Sequence, residues 1–151
     1  MFSDIHTILK KSFHERIILL ILYLEKCSKI KWPFKVIRKI ILQILYHCEI
    51  HPDSFRDKEA IVTCCMPHPY LIVIHRKASL GANMRIFQGV TIGIIEKGNN
   101  ISAPYFEDSV YIGVKASILG GVTIGRNAKI GAHALVMGNV KPGDTVCGFF
   151  K

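Results

Sequence analysis

From Tyr111 to Val146 the apolar positions keep an interval that is neither helical nor strand-like. Ile112, Ile118, Ile124, Ile130 and Val136 recur every six residues, and a second comb of smaller residues, Ala116, Val122, Ala128, Ala134, Val140 and Val146, stands four places further on in each unit. A helix needs apolar residues every three or four positions and a flat strand every two. A strict six with small residues between predicts short strands bent at regular corners, three of which close one turn of a triangular prism. Gly113, Gly125, Gly131 and Gly143 fall beside the first comb, where a tight corner leaves no room for a bulky side chain.

The same combs continue upstream through Ile74, Leu80, Ile86 and Ile92, and through Ala78, Met84 and Val90. Between Ile92 and Ile112 the phase slips, because twenty residues is two more than three units of six. The polar segment around Glu96, Lys97, Gly98, Asn99 and Asn100 is therefore expected to loop out of the prism, over about residues 94–107. Loops leaving a rigid scaffold are where sites are built, and the alternative is a decorative excursion.

The N-terminal third has a different period. Residues from about Ser3 to Lys26 read as a helix, with Ser3 or Asp4 at the N-cap and apolar residues at Ile5, Ile8 and Leu9 and from Ile17 to Leu24. Pro33 suits a first helical turn, and Val36, Ile37, Ile40, Ile41, Ile44 and Leu45 then form one apolar stripe with Lys35, Arg38 and Lys39 off it. Such a basic amphipathic helix packs on its own domain or a sister subunit with its lysines in water, or rests peripherally on an anionic membrane. Packing is the expectation. Glu49-Ile50-His51-Pro52 ends the helical run, since the residue before a proline resists the α conformation. The division predicted is an α-helical arm over residues 1–48 and a β-helical domain over residues 49–151.

Composition narrows the function only a little. With 50% hydrophobic residues a packed core is expected rather than disorder. The 20 Lys+Arg against 11 Asp+Glu leave a charge of +9, which favours an anionic partner: nucleic acid, a membrane surface or a phosphorylated cofactor. No helix-turn-helix or RNA-binding signature is present and the basic residues are dispersed, so nucleic acid is set aside. The five cysteines, Cys27, Cys48, Cys64, Cys65 and Cys147, form no CxxC pair and no metal-ligand spacing, as expected of free thiols in a reducing compartment. The apolar run from Ile17 to Leu24 is too short to span a bilayer, and the N-terminus has no secretory pattern. A cytoplasmic protein is expected.

Pro67-His68-Pro69 followed by Ile72-Val73-Ile74, then Gln88-Gly89-Val90-Thr91-Ile92-Gly93, then the long array ending in Asn139-Val140, Pro142 and Gly148, resembles the serine acetyltransferase branch of the hexapeptide acyltransferases. The resemblance covers about Glu49 to Gly148 and implies a left-handed parallel β-helix. It carries to His68 the role of the base that deprotonates a hydroxyl attacking the thioester of acetyl-CoA, help worth about 10²–10⁴ in rate. A corner histidine with a purely structural role is the alternative. Glu49 matches the carboxylate that orients such a base, although the stretch from Glu49 to His68 is about four residues longer than the pattern, which leaves Asp53 or Asp57 open as substitutes. The resemblance also implies acetyl-CoA lying in a groove between subunits, against Gly113, Val114, Gly131 and Ala132, with Lys129, Lys141 or Lys151 toward the phosphates and N–H groups near Gly93 as an oxyanion donor, worth about 3 kcal/mol if well aimed. Because that groove needs a neighbouring prism for its other wall, the resemblance implies a homotrimer or a dimer of trimers.

One departure bears on the acceptor. The branch carries a second histidine ahead of a proline in the looped segment, and this chain has Ala103-Pro104. Together with an arm shorter than the branch's N-terminal domain, this shifts the expectation toward a hydroxyl of a sugar or polysaccharide precursor, with serine as the alternative and a non-catalytic trimeric scaffold as a second. A zinc hydratase on the same prism needs histidines on neighbouring faces. His68, His75 and His133 do not fall there, and no metal is expected.

Overall fold

The computed structural model describes residues 2–97 and 100–151. Residues 49–150 wind as a three-sided parallel β-helix whose strands are two or three residues long. The first face is a ladder of six strands, with Glu49 beside Val73, Val73 beside Thr91, Thr91 beside Ser117, Ser117 beside Leu135 and Leu135 beside Phe149. The third face aligns Arg85, Tyr111, Lys129 and Thr145, with Cys65 bridged to Arg85 at its start. The second face pairs Tyr105 with Thr123 and is extended by bridges from Phe55 to Leu80, Ser79 to Tyr105 and Ile124 to Val140.

In each strand the residue after the aligned one points into the axis and stacks on its counterpart one coil away, at about 4.8 Å. Ile50, Ile74, Ile92, Ile118 and Val136 form the first column; Phe55, Leu80, Phe106, Ile124 and Val140 the second; Met66, Ile86, Ile112, Ile130 and Val146 the third. All are buried, and each aliphatic side chain so placed contributes roughly 1.5–3 kcal/mol. The second comb, including Ala78, Met84, Val90, Ala116 and Ala134, fills the corners from inside.

Three details differ from the spacing argument. Val140 and Val146 belong to the strand columns and not to the corner comb, because the unit after Val136 is shortened by two residues. The slip after Ile92 is larger than two: Phe106 takes the next inward place, so the excursion adds eight residues to one unit. Part of it is a hairpin in which Ile95–Lys97 pairs antiparallel with Asn100–Ser102. Of the expected loop residues, Gly98 and Asn99 lie outside the described residues. Lastly, six residues before Ile74 the comb falls on His68, but it is Met66 that enters the core, and His68 stays outside.

The arm also departs from expectation. A single helix from Ser3 to Lys26 is replaced by α1 (Phe2–Leu9) and α2 (Phe13–Cys27), because Ser12 and Glu15 form a capping box that starts a new helix. α1 and α2 pack over the first coil together with α4 (Lys58–Thr63), α3 being Trp32–Arg38. Arg38 holds the buried Glu25 at 2.7 Å and the Ile50 carbonyl at 3.0 Å, Lys11 donates to the Cys64 carbonyl at 2.7 Å, and Lys26 donates to the carbonyls of Pro52 and Phe55. The arm thereby closes the prism end that would otherwise expose its core. α3 runs into a π-helical segment, Lys39–Leu45, and its expected packing stripe faces outward: of Val36, Ile37, Ile40, Ile41, Ile44 and Leu45 none is fully buried, the core being reached by Leu42.

Candidate active site

His68 sits at the corner that joins the third face to the first, in the loop between Met66 and Ile72. Its ring is exposed and, among the described residues, has no hydrogen-bond partner. The loop itself is held firmly. The Met66 N–H donates to Glu15 at 2.6 Å, the Leu71 N–H to the Tyr46 carbonyl at 3.1 Å, and the Tyr70 N–H to the His68 carbonyl at 2.8 Å. The Cys48 thiol donates to the Pro69 carbonyl at 3.2 Å and accepts from the Ile72 N–H at 3.3 Å. Burial pushes the Cys48 thiol up, so it keeps the proton it donates.

Glu15 is the clearest residue missed by motif reasoning, though the Ser12-x-x-Glu15 pattern was visible. Burial raises its carboxyl, but hydrogen bonds from the Ser12 hydroxyl, the Met66 and Ser12 N–H groups and Cys65 outweigh that and leave it below the ordinary value. A depressed carboxyl stabilises the fold fully above the unfolded-state value of about 4.5, and that contribution is lost as pH falls through the lower folded value. Glu15→Gln is expected to cost about 2–3 kcal/mol and to flatten the fall in melting temperature below pH 5, measured by circular dichroism across the acid range.

Beside the loop stands an aromatic wall. The His14 ring nitrogen meets the Tyr46 hydroxyl at 3.0 Å, and Tyr70 lies 5.5 Å from Tyr46 and 5.8 Å from His14 between ring centres. Glu49 is exposed on the first face, one coil from Val73. Its neighbour Cys48 touches the neighbour of His68, but no hydrogen bond joins Glu49 to His68. Asp53 instead faces His51 and Arg76, at 3.2 Å from each, and Asp57 caps α4.

The corner that carries His68 recurs in every coil. Leu71, Gly89, Lys115 and His133 all have left-handed φ, and the Gly89 N–H donates to the Tyr70 carbonyl, Lys115 to Gln88 and His133 to Val114, each within 2.9 Å. These bonds stack the corners into one straight edge. Gly113, Val114, Gly131 and Ala132 lie on it, two and three coils from His68, or about 10 and 14 Å along the axis. A Cβ at Gly113 would stand 2.7 Å from the Ala132 nitrogen, so its small size is required by the next coil as well. Next to this edge, Tyr111, Lys129, Ile130, Gly131 and Thr145 line an open apolar cleft of about 370 Å³. Gln88, on the coil adjoining His68, buries its Oε1 with no hydrogen-bond partner.

Other expected residues fall elsewhere. Gly93, Ala103 and the hairpin lie at the edge between the first and second faces, and Lys151 ends the chain against Gly138 at that same edge. Within one prism they are separated from His68 by the width of the first face. His133 is exposed at its corner, and His75 is half-buried, its Nδ1 accepting from the Lys77 N–H at 3.2 Å.

Residues 104–138 match the bacterial transferase hexapeptide family (six repeats). A serine acetyltransferase of Bacillus licheniformis is 36% identical over 100 residues, which are 66% of this chain and 44% of that protein. Among solved structures, the Neisseria gonorrhoeae serine acetyltransferase in complex with serine superposes with a TM-score of 0.69 at 31% identity, covering 89% of this chain and 52% of the other. Soybean serine acetyltransferase complexed with serine gives 0.68 at 27% identity, covering 88% and 52%. The chain spans less than half the length of the curated relatives it matches.

A left-handed β-helix of hexapeptide repeats, with an exposed histidine at a corner edge, defines the class: a hexapeptide-repeat acyltransferase fold. Over the stretch it shares with them, the chain is similar to the serine acetyltransferase branch of these proteins.

Proposed function

We propose that this protein is an acetyl-CoA-dependent O-acetyltransferase in which His68 is the general base. The observation that carries the reading is the single edge on which an exposed imidazole, on a firmly held loop, stands above the small-residue corners at Gly113 and Gly131, beside a cleft that Lys129 borders. A thioester arm laid along that edge meets no side chain at those glycines, and its phosphates would approach Lys129. The base takes the acceptor's hydroxyl proton as the oxygen attacks the acetyl carbonyl, then returns it to the departing thiolate. Glu49, one coil away and unpaired with His68 in a single chain, is proposed to orient the imidazole when substrate is bound.

The site needs a second prism. Gly93 and the hairpin lie on a different edge from His68, so a neighbouring copy in a homotrimer, alone or paired as a dimer of trimers, supplies the opposite wall. In this division of labour residues 1–48 cap the prism and fix the His68 loop, while residues 49–151 carry the chemistry.

For the acceptor, the names of the relatives and the serine in the gonococcal and soybean structures favour serine. One observation favours a sugar hydroxyl as a second reading: Ala103 stands where the resemblance puts an acceptor-side histidine. Thiol release from acetyl-CoA is the measurement, with serine compared against nucleotide-linked and lipid-linked sugars. The expected outcome is a larger kcat/KM for serine. A larger value for a sugar moves the acceptor to the second reading, and no release with any acceptor sinks the enzymatic one.

A further inference from the structure

Between Cys27 and Cys48 the chain carries Lys29, Lys31, Lys35, Arg38 and Lys39 and not one aspartate or glutamate. Leu42 and Tyr46 reach the core, but six apolar residues of the same stretch face away from the protein. Trp32, Val36, Ile37, Ile40, Ile44 and Leu45 are 76%, 41%, 43%, 52%, 65% and 63% exposed, although each costs free energy in water. Single exposed apolar side chains are ordinary, but a continuous set along one helix marks an interaction surface. We infer that α3 and the π-helical segment after it lie flat on an anionic lipid bilayer, apolar face down.

Charge selects that occupant over a second copy of the chain. Arg38 is taken up by Glu25 and the Ile50 carbonyl, but a two-fold contact between identical faces would still set the four lysines against the same four, at a cost that the apolar area would have to overcome. An anionic bilayer reverses the sign, drawing the lysines to the headgroups while the tryptophan seats at the water–lipid boundary. Behind the stripe, Lys31 and Lys35 line a cavity of about 340 Å³ together with Lys26, His51 and Arg76 and with the carboxylates of Glu25 and Asp53. The ammonium groups of Lys31 and Lys35 have no hydrogen-bond partner among the described residues, which leaves them free for headgroup phosphate. The contact is peripheral: among the described residues no helix is long and apolar enough to cross a membrane. The inference does not depend on acetyl transfer, so either can fail alone.

The test is co-sedimentation of the full chain with vesicles of phosphatidylcholine alone and of phosphatidylcholine with phosphatidylglycerol, with the mass of the protein followed by light scattering. Binding is expected only to the anionic vesicles, weakening as salt rises. Lys35→Gln with Lys39→Gln is expected to reduce it by about tenfold or more. Ile40→Gln with Ile44→Gln, at exposed positions that leave the fold intact, is expected to abolish it without altering the mass. Absence of binding to anionic vesicles at low salt overturns the proposal, as does equal binding to neutral ones. A wild type that ignores vesicles while the Ile40/Ile44 variant loses oligomeric mass also overturns it, and assigns the face to a second copy.

Discussion

Replacing His68 with alanine is expected to lower kcat for acetyl transfer by about 10²–10⁴-fold, with little change in the KM for acetyl-CoA. The size follows from losing the group that takes the hydroxyl proton in the transition state, and the split between kcat and KM follows from geometry. The small-residue corners proposed to receive the thioester arm lie two and three coils away and make no contact with the imidazole. Folding is expected to be untouched, because the ring is exposed and the loop is held through Glu15, Tyr46 and Cys48 rather than through His68. Steady-state thiol release paired with thermal melts checks both halves. If turnover survives the substitution, the base is another residue and the edge has a different purpose.

The period of six was enough to place the prism and most of its core columns, because stacked strands repeat one physical environment and the side chains record it. It failed where the chain changes length between columns. Phe106 fills an inward place that an aliphatic comb does not announce, and Met66 does the same in the first coil, where α4 is inserted between the second and third faces. Both are adaptations of side-chain shape to an irregular coil, and no periodicity records them. The break between α1 and α2 was written locally, in Ser12 and Glu15, but the density of apolar residues from Ile17 to Leu24 obscured it.

For the candidate site the motif spacing pointed to His68 and to corner residues that the fold sets along the same edge. It did not reveal what holds His68 in place. The contacts that do so span 51 residues from Glu15 to Met66 and 21 from Cys48 to Pro69, and distances of that kind become neighbours only once the arm has docked on the first coil. The outward turn of the α3 stripe was equally hidden. Periodicity shows that a helix has an apolar side but not which way that side faces, and here the docking of Arg38 on Glu25 and Ile50 sets the rotation.

Gly125→Ala is expected to be the most damaging single-methyl change in the prism. Gly125 sits where the second face turns toward the third, and its N–H donates to the Val140 carbonyl at 2.8 Å. An added Cβ would overlap the Pro142 nitrogen and stand 2.7 Å from the Lys141 carbonyl carbon. These are backbone atoms, so no rotamer change relieves the contact, and the last coil must lift away from the one before it. A cost of about 3 kcal/mol or more is expected, which for a chain of this size lowers the melting temperature by roughly 6–12 °C. Gly143 separates this cause from the general preference of corners for glycine. It has a left-handed φ of 78° and nothing within 4 Å of a prospective Cβ, so Gly143→Ala carries only the conformational cost, about 1–2 kcal/mol. Gly125 has no left-handed φ, so melting both variants decides the matter: a loss at Gly125 no larger than that at Gly143 would mean that the close approach of successive coils is relieved at little cost.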